Sequence, residues 1–123
     1  MIAYTTIGTN DLPRAAAFYD ALLAEVGAGR AMDMGRLIAY AAGEGQPMFA
    51  ICIPDDEKEA TAGNGTMIAL AAENPVAVDR LHAKALELGA ADEGAPGVRG
   101  DMFYIGYFRD LDGNKLNFFC PAG

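Results

Sequence analysis

The sequence contains an internal repeat, in which the same order of predicted elements occurs in both halves of the chain. Three residue pairs occupy equivalent places in two predicted helices, about 63 positions apart: Asp11 with Asn74, Phe18 with Leu81, and Tyr19 with His82. The segments 49–54 and 116–121 form a further equivalent pair. One copy alone would be half a domain with an uncovered sheet, so the repeat predicts two modules within one domain.

Each copy has the pattern of one strand, one helix and three further strands. In the first copy the strands are predicted near residues 2–9, 31–34, 37–42 and 48–53, with the helix following Asn10-Asp11 and ending at Gly27. In the second copy the strands are predicted near 67–72, 90–92, 102–109 and 115–120, with the helix between Pro75 and Gly89 and a glycine-punctuated loop at 94–100. The fold prediction is therefore α+β, with two repeated βαβββ modules at about 1–54 and 65–120 and an acidic linker at 55–64.

The overall charge restricts the class of partner. A formal net charge of -8 and a pI near 4.4 argue against nucleic acid or an acidic membrane surface. The sequence has no apolar run of membrane-spanning length, and Met1 is followed closely by polar Thr5 and Thr6, which is not the pattern of a signal peptide. With only two cysteines and no motif spacing between them, we expect a cytoplasmic protein with reduced thiols.

The last predicted hairpin has Asp112-Gly113-Asn114 between two runs rich in aromatic and apolar residues. Together with the repeat, the helix entry at Asp11-Leu12 and Phe18-Tyr19 inside that helix, this hairpin resembles the glyoxalase/bleomycin resistance/dioxygenase superfamily, also called the vicinal oxygen chelate superfamily. The resemblance implies that each module curls its mixed sheet into a cup, with the helix outside and a ligand inside. It also implies a divalent metal in the catalytic members, whereas bleomycin-binding members hold none.

The positions that carry metal ligands in this family correspond to Tyr4, Ala50, Met67 and Asn117. Ala50 has no donor atom, and the Met67 thioether suits copper(I) better than magnesium, manganese or zinc. Tyr4 would have to lose a proton with a pKa near 10, and Asn117 offers only a neutral carbonyl oxygen. We therefore expect no metal and no other cofactor.

Strand alternation predicts which side chains line the cup. The predicted ligand-binding residues are Tyr4, Thr6, Met48, Cys52, Met67, Arg99, Tyr104, Asn117 and Phe119. Arg99 is expected to clamp an anionic group from a flap formed by residues 94–100, and one of Tyr104 and Tyr107 is expected to reach the pocket. Cys52 and Cys120 fall on opposite faces, which argues against a disulfide between them.

His82 is the only histidine, and its place on a helix flank is more typical of a buried structural residue than of a catalytic one. Cys52 lies in an apolar strand with no basic residue near it in sequence, so an inert thiol is favoured over a nucleophile.

The pattern leaves three functional hypotheses open. The favoured one is a metal-free protein that binds a small molecule in a largely apolar cup. The second is a metal-independent lyase or isomerase that uses Tyr4. The third is an enzyme with an unfamiliar metal site, for example one that includes Cys52. In each case we expect a homodimer, because sheets of this kind leave open edges.

Overall fold

The computed structural model describes all 123 residues. The chain divides into two compact units, residues 1–62 and residues 63–123. Each unit contains one helix and one four-stranded sheet. The two βαβββ modules predicted from the repeat are thereby confirmed.

The first unit contains β1 (Tyr4–Gly8), α1 (Leu12–Ala24), β2 (Gly29–Asp33), β3 (Leu37–Ala41) and β4 (Met48–Cys52). Its sheet has the order β1-β4-β3-β2, in which β1 and β4 are parallel and the other pairs are antiparallel. The sheet is therefore mixed, and β1 and β2 are its free edges.

The second unit contains β5 (Ile68–Ala71), α2 (Pro75–Glu87), β6 (Ala91–Arg99), β7 (Phe103–Arg109) and β8 (Lys115–Pro121). Its sheet has the order β5-β8-β7-β6, with β5 and β8 parallel and the other pairs antiparallel. This is the topology of the first unit, strand for strand.

The two helices begin in the same way. Asp11 accepts a hydrogen bond from the backbone N–H of Arg14, and Asn74 accepts one from the N–H of Ala77, at 3.1 and 2.8 Å. Both residues are N-caps, and each is followed by a proline in the first turn, where no intrahelical donor is needed. Asp11 and Asn74, which the repeat predicts to be equivalent, therefore make the same kind of capping hydrogen bond to the N–H three residues further on.

Each sheet packs one face against its own helix. In the first unit this face buries Phe49 and Ile51 of β4 with Tyr19 of α1, whose ring lies 5.0 Å from that of Phe49. In the second unit it buries Phe108 of β7 and Phe118 of β8. Burial of these apolar side chains is the main stabilising contribution within each unit.

The predicted loop at 94–100 is wrong, because most of it belongs to β6. This strand pairs with β7 from Ala91 to Arg99, with two irregularities in register around Gly94 and Gly97. Pro96 is tolerated because β6 is an edge strand and its outer side needs no hydrogen-bond donor. The glycines and the proline of this segment have a low propensity for strands, so the sequence favoured a loop. Hydrogen bonding to β7 outweighs this low propensity.

The hairpin between β7 and β8 is as predicted. The side chain of Asp110 accepts hydrogen bonds from the N–H groups of Asp112 and Asn114, both at 2.9 Å, and from Asn114 Nδ2 at 3.1 Å. Gly113 has φ of 85°, a value that a side chain would oppose. The turn is thus built from the residues that first suggested it.

Neither helix has the length and apolar character of a membrane-spanning segment.

Candidate functional site

The face of each sheet that does not pack against its helix is the place where the predicted site residues converge. We call this the open face of a unit. In the first unit, Tyr4 and Thr6 of β1 lie on the open face, whereas Ile7 is buried on the helix face. Met48 and Cys52 of β4 are aligned with Tyr4 and Gly8, which places them on the same open face.

A groove of about 590 Å³ lies on this open face. It is lined by three of the predicted ligand-binding residues, Tyr4, Thr6 and Cys52. The tyrosine side chain is 59% exposed, and none of the three side chains has a hydrogen-bond partner in the chain. Met48 lies outside this groove and borders a separate cavity of about 480 Å³ near the N-terminus.

The opposite wall of the groove comes from residues 54–61, which sequence analysis placed mainly in a linker. Asn10 fixes this segment, since its Oδ1 accepts from the N–H of Ala60 at 2.7 Å and its Nδ2 donates to the carbonyl of Ala60 at 3.2 Å. Gly8 allows the close approach, because a Cβ at this position would lie 2.9 Å from the Cβ of Ala60. The segment is therefore held against the sheet of the first unit.

The edge of the groove is charged, so this part of the site is more polar than the apolar cup predicted from the sequence. Its charged residues are Arg36, Asp55, Asp56 and Glu59. Arg36 donates to the carbonyl of Ile53 at 2.8 Å and lies 3.7 Å from the Asp55 carboxylate. Sequence reasoning missed these residues because a run of charges, taken alone, is typical of a solvent-exposed loop.

On the open face of the second unit, Asn117 of β8 is buried, with only 1% of its surface exposed. Its Nδ2 donates to the sulfur of Met67 at 3.3 Å. Its Oδ1 is also buried, and no donor in the chain reaches it. A buried acceptor without a donor is destabilising by about 1–3 kcal/mol, which makes this oxygen a candidate contact for a bound molecule.

Tyr107 lies directly opposite Asn117 across β7 and β8, and two cations approach its ring. The guanidinium carbon of Arg99 lies 5.7 Å from the ring centroid and the ammonium nitrogen of Lys115 lies 5.2 Å from it. Arg99 thus reaches the open face from strand β6, and the predicted flap does not exist. Lys115 was missed, although its spacing of two residues from Asn117 on one strand was a usable signal.

Phe119 also lies on this face, where its ring is 4.8 Å from that of Phe103. Tyr104, in contrast, is misplaced in the sequence prediction. It is paired with Cys120, which is buried on the helix face, and its O–H donates to Asp79 of α2 at 2.7 Å. That hydrogen bond is the main cause that raises the pKa of Tyr104. Tyr104 and Tyr107 are three residues apart on one strand, so they point to opposite faces.

His82 has the structural environment expected for it. The side chain is 5% exposed, and its Nε2 lies 3.0 Å from the carbonyl oxygen of Tyr107 and 3.2 Å from Oδ1 of Asp92. The ring therefore joins α2 to β6 and β7 on the helix face of the second unit. The two cysteines are both free: Cys52 is half-buried on an open face, and Cys120 is buried on a helix face.

The donor atoms do not fit the divalent metal that the family resemblance implies. Of the four positions that correspond to metal ligands in the family, Ala50 has no donor atom. The Asn117 amide donates a hydrogen bond to the Met67 thioether, so this pair offers only neutral groups. No group of three or more His, Cys, Asp or Glu side chains is arranged to hold a metal ion anywhere in the chain.

Two repeated βαβββ units, each with one sheet face that its own helix does not cover, define the class of protein. The chain belongs to the glyoxalase/bleomycin resistance protein/dioxygenase superfamily, whose family model matches residues 1–118.

Solved structures agree with this assignment. The chain is 35% identical to a glyoxalase/bleomycin resistance protein from Albidiferax ferrireducens T118, with a TM-score of 0.88 and coverage of 97% of both chains. It is 26% identical to the hypothetical protein SA1046 from S. aureus, with a TM-score of 0.75 and coverage of 97% of this chain and 91% of that one.

A putative glyoxalase from Bacillus halodurans has the same fold at 21% identity, with a TM-score of 0.75 and coverage of 98% and 96%. The comparison with proteins of curated function gives no match.

Proposed function

We propose that this protein binds a small organic molecule in the groove of its first unit and does so without a metal ion. The observation that carries the proposal is the convergence of three side chains with unused hydrogen-bonding groups on one groove of about 590 Å³. They are the hydroxyls of Tyr4 and Thr6 and the thiol of Cys52. A few polar groups in a concave site are the usual means of orienting a small ligand.

The lining suggests the kind of molecule. The ring of Tyr4 with Leu37 and Pro54 offers apolar contact, whereas Asp55 and Glu59 at the edge accept hydrogen bonds. A ligand with an apolar body and one or more donor groups matches both parts of the groove. The wall that carries the carboxylates is held in place by Asn10 through Ala60, which limits the entropic cost of ordering it on binding.

Binding is favoured over a metal-independent lyase or isomerase reaction, because the groove contains no imidazole. The single histidine, His82, is buried in the second unit and bonded to backbone there. Tyr4 is the one phenol in the groove, and it is largely exposed to water, which is a poor setting for an activated acid or base.

Native mass spectrometry of protein purified without added ligand, followed by calorimetric titration of any molecule found, tests the proposal. Removing the hydroxyl in Tyr4→Phe should weaken binding by about 1–3 kcal/mol if it bonds to the ligand. Tyr104→Phe is the matched control, since it removes the same atom from the helix side of the second unit. A ligand that binds equally to wild type, Tyr4→Phe and Thr6→Val would contradict the groove assignment.

We further propose that the protein is a homodimer. The support is the pair of free edges in each sheet together with large apolar side chains that remain exposed, among them Met34, Val98 and Met102. Sedimentation velocity at micromolar concentration tests this, and a monomer at that concentration would refute it.

A further inference from the structure

We propose that the open face of the second unit contains an anion-binding site formed by Arg99, Tyr107 and Lys115, with Asn117 accepting a hydrogen bond from the same ligand. The ligand class is a small organic anion that carries a hydroxyl or amide donor next to its charged group. The site is argued from residues of the second unit alone and does not rest on the proposal for the groove of the first unit.

The first argument is electrostatic. Four cations of the chain, Arg30, Arg36, Lys84 and Arg109, lie within 4 Å of a carboxylate. Arg99 and Lys115 have no carboxylate partner, although the chain has 17 acidic and 9 basic residues. Neither half-buried charge is neutralised by a carboxylate, so an anion bound beside the Tyr107 ring would be attracted by both cations.

The second argument is the supply of donors. Arg99 uses one guanidinium nitrogen on the carbonyl of Ala95 at 2.8 Å and another on that of Val98 at 3.4 Å, which holds the side chain in place and leaves further N–H groups free. Gly97 permits this position, since a Cβ there would lie 2.9 Å from the guanidinium. The Lys115 ammonium and the Tyr107 hydroxyl have no hydrogen-bond partner in the chain.

The third argument is independent of charge. Asn117 is the direct cross-strand neighbour of Tyr107, and Lys115 precedes it by two residues on the same face. Its buried Oδ1 has no donor in the chain. Met67, which contacts the same amide and is 42% exposed, has the flexible side chain that could move aside for a ligand.

These groups together specify a ligand with two features. Arg99, Tyr107 and Lys115 supply donors and positive charge, which suits a carboxylate or a phosphate. Asn117 Oδ1 supplies only an acceptor, which requires a hydroxyl or an N–H on the ligand. A hydroxy carboxylate is the simplest molecule with both features.

Nitrogen-15 NMR titration of the full-length chain tests the site with four probes: glycolate, acetate, ethylene glycol and inorganic phosphate. At fixed ionic strength, glycolate should shift the side-chain signals of Arg99 and Asn117. Acetate, which lacks the donor, should bind about threefold to tenfold more weakly, and ethylene glycol, which lacks the charge, should not bind. The order of affinity of phosphate and acetate distinguishes the two possible anionic groups.

Two variants separate this site from general attraction of anions. Lys115→Gln should weaken glycolate binding by about tenfold, whereas Lys58→Gln removes the same charge from the first unit and should not. Asn117→Ala should abolish the preference for glycolate over acetate. The proposal is overturned if Lys115→Gln and Lys58→Gln change the affinity for glycolate to the same extent, or if all the anions shift the spectrum equally. It is also overturned if the Arg99 and Asn117 signals shift with protein concentration but not with added glycolate. Failure here leaves the Tyr4→Phe result unaffected, so the two proposals are tested separately.

Discussion

The hydroxyl of Tyr40 donates a hydrogen bond to Oδ1 of Asp20 at 2.8 Å, which joins β3 to α1 in the first unit. The same carboxylate accepts from Arg30 of β2, at 3.0 Å from Nε and 2.8 Å from the terminal nitrogen. One aspartate therefore connects the helix with two strands. The hydrogen bond from Arg30 is the main cause that lowers the pKa of Asp20, and burial is the main cause that raises the pKa of Tyr40.

This arrangement predicts a dependence of stability on pH. Because the pKa of Asp20 is lowered in the folded chain, its contribution is fully present above the usual aspartate pKa of 3.8 and is lost as the pH falls through the folded value. The Arg30 pair is exposed, so Asp20→Asn should cost little at pH 6. Urea unfolding should show that the stability difference between wild type and Asp20→Asn shrinks as the pH is lowered below 3.8, because the Asp20 carboxylate is then progressively protonated in the folded chain as well.

Asp20→Ala is the informative companion variant. It also removes the nearer acceptor of the buried Tyr40 hydroxyl and leaves only the Ala16 carbonyl at 3.4 Å, so it should destabilise the first unit by about 1 kcal/mol relative to Asp20→Asn. Equal stability of the two variants would show that the Ala16 carbonyl fully replaces Asp20 as the acceptor of the Tyr40 hydroxyl.

The repeated helix caps predict repeated effects. Asp11→Ala and Asn74→Ala each remove the acceptor for an N–H in the first helical turn, so each should destabilise the chain by about 1 kcal/mol. Asp11→Asn, which keeps the acceptor and matches the residue at the equivalent site, should be close to wild type. Thermal unfolding followed by circular dichroism measures all three.

Asn10 is predicted to control the wall of the groove. Asn10→Ala removes both hydrogen bonds to Ala60, so amide hydrogen exchange should become faster across residues 55–61 while exchange in β3 is unchanged. Ligand affinity should fall with it, because the wall must then be ordered on binding. Unchanged protection of the Ala60 amide would contradict this account.

Gly106 is predicted to be required for the position of His82. A Cβ at Gly106 would lie 3.1 Å from the imidazole Cδ2 of His82 and 3.0 Å from Pro96. Gly106→Ala should therefore destabilise the second unit by about 1–3 kcal/mol. Gly29→Ala is the control, since no atom lies within 4 Å of a Cβ placed there. Urea unfolding of both variants gives the comparison.

The donor set predicts a low metal content. Protein purified without chelator should contain far less than one equivalent of zinc, nickel, manganese or iron by elemental analysis, because Ala50 supplies no ligand and Met67 supplies only a neutral thioether. A stoichiometric ion that is lost in an Asn117→Ala variant would overturn the metal-free proposal and favour a metalloenzyme.

The sequence by itself determined the fold class, because the N-caps at Asp11 and Asn74 and the Asp112-Gly113-Asn114 turn depend on residues close together in the chain, and the repeat shows that both halves have the same order of elements. Alternation along single strands also placed Tyr4, Thr6 and Asn117 on open faces, since the side-chain period of a strand is fixed by its backbone. Tyr104 is the cross-strand partner of Cys120, which alternation places on the helix face, so Tyr104 lies on the helix face as well.

Only the tertiary structure decided the composition of the candidate sites. The pairing of β6 with β7 turned a predicted loop into a strand and brought Arg99 to Tyr107, which are eight residues apart in sequence. Asn10 and Ala60, fifty residues apart, placed an acidic segment at the edge of the groove. Contacts of this kind depend on packing and on the satisfaction of backbone hydrogen bonds by distant partners, for which a local pattern of residues contains no signal.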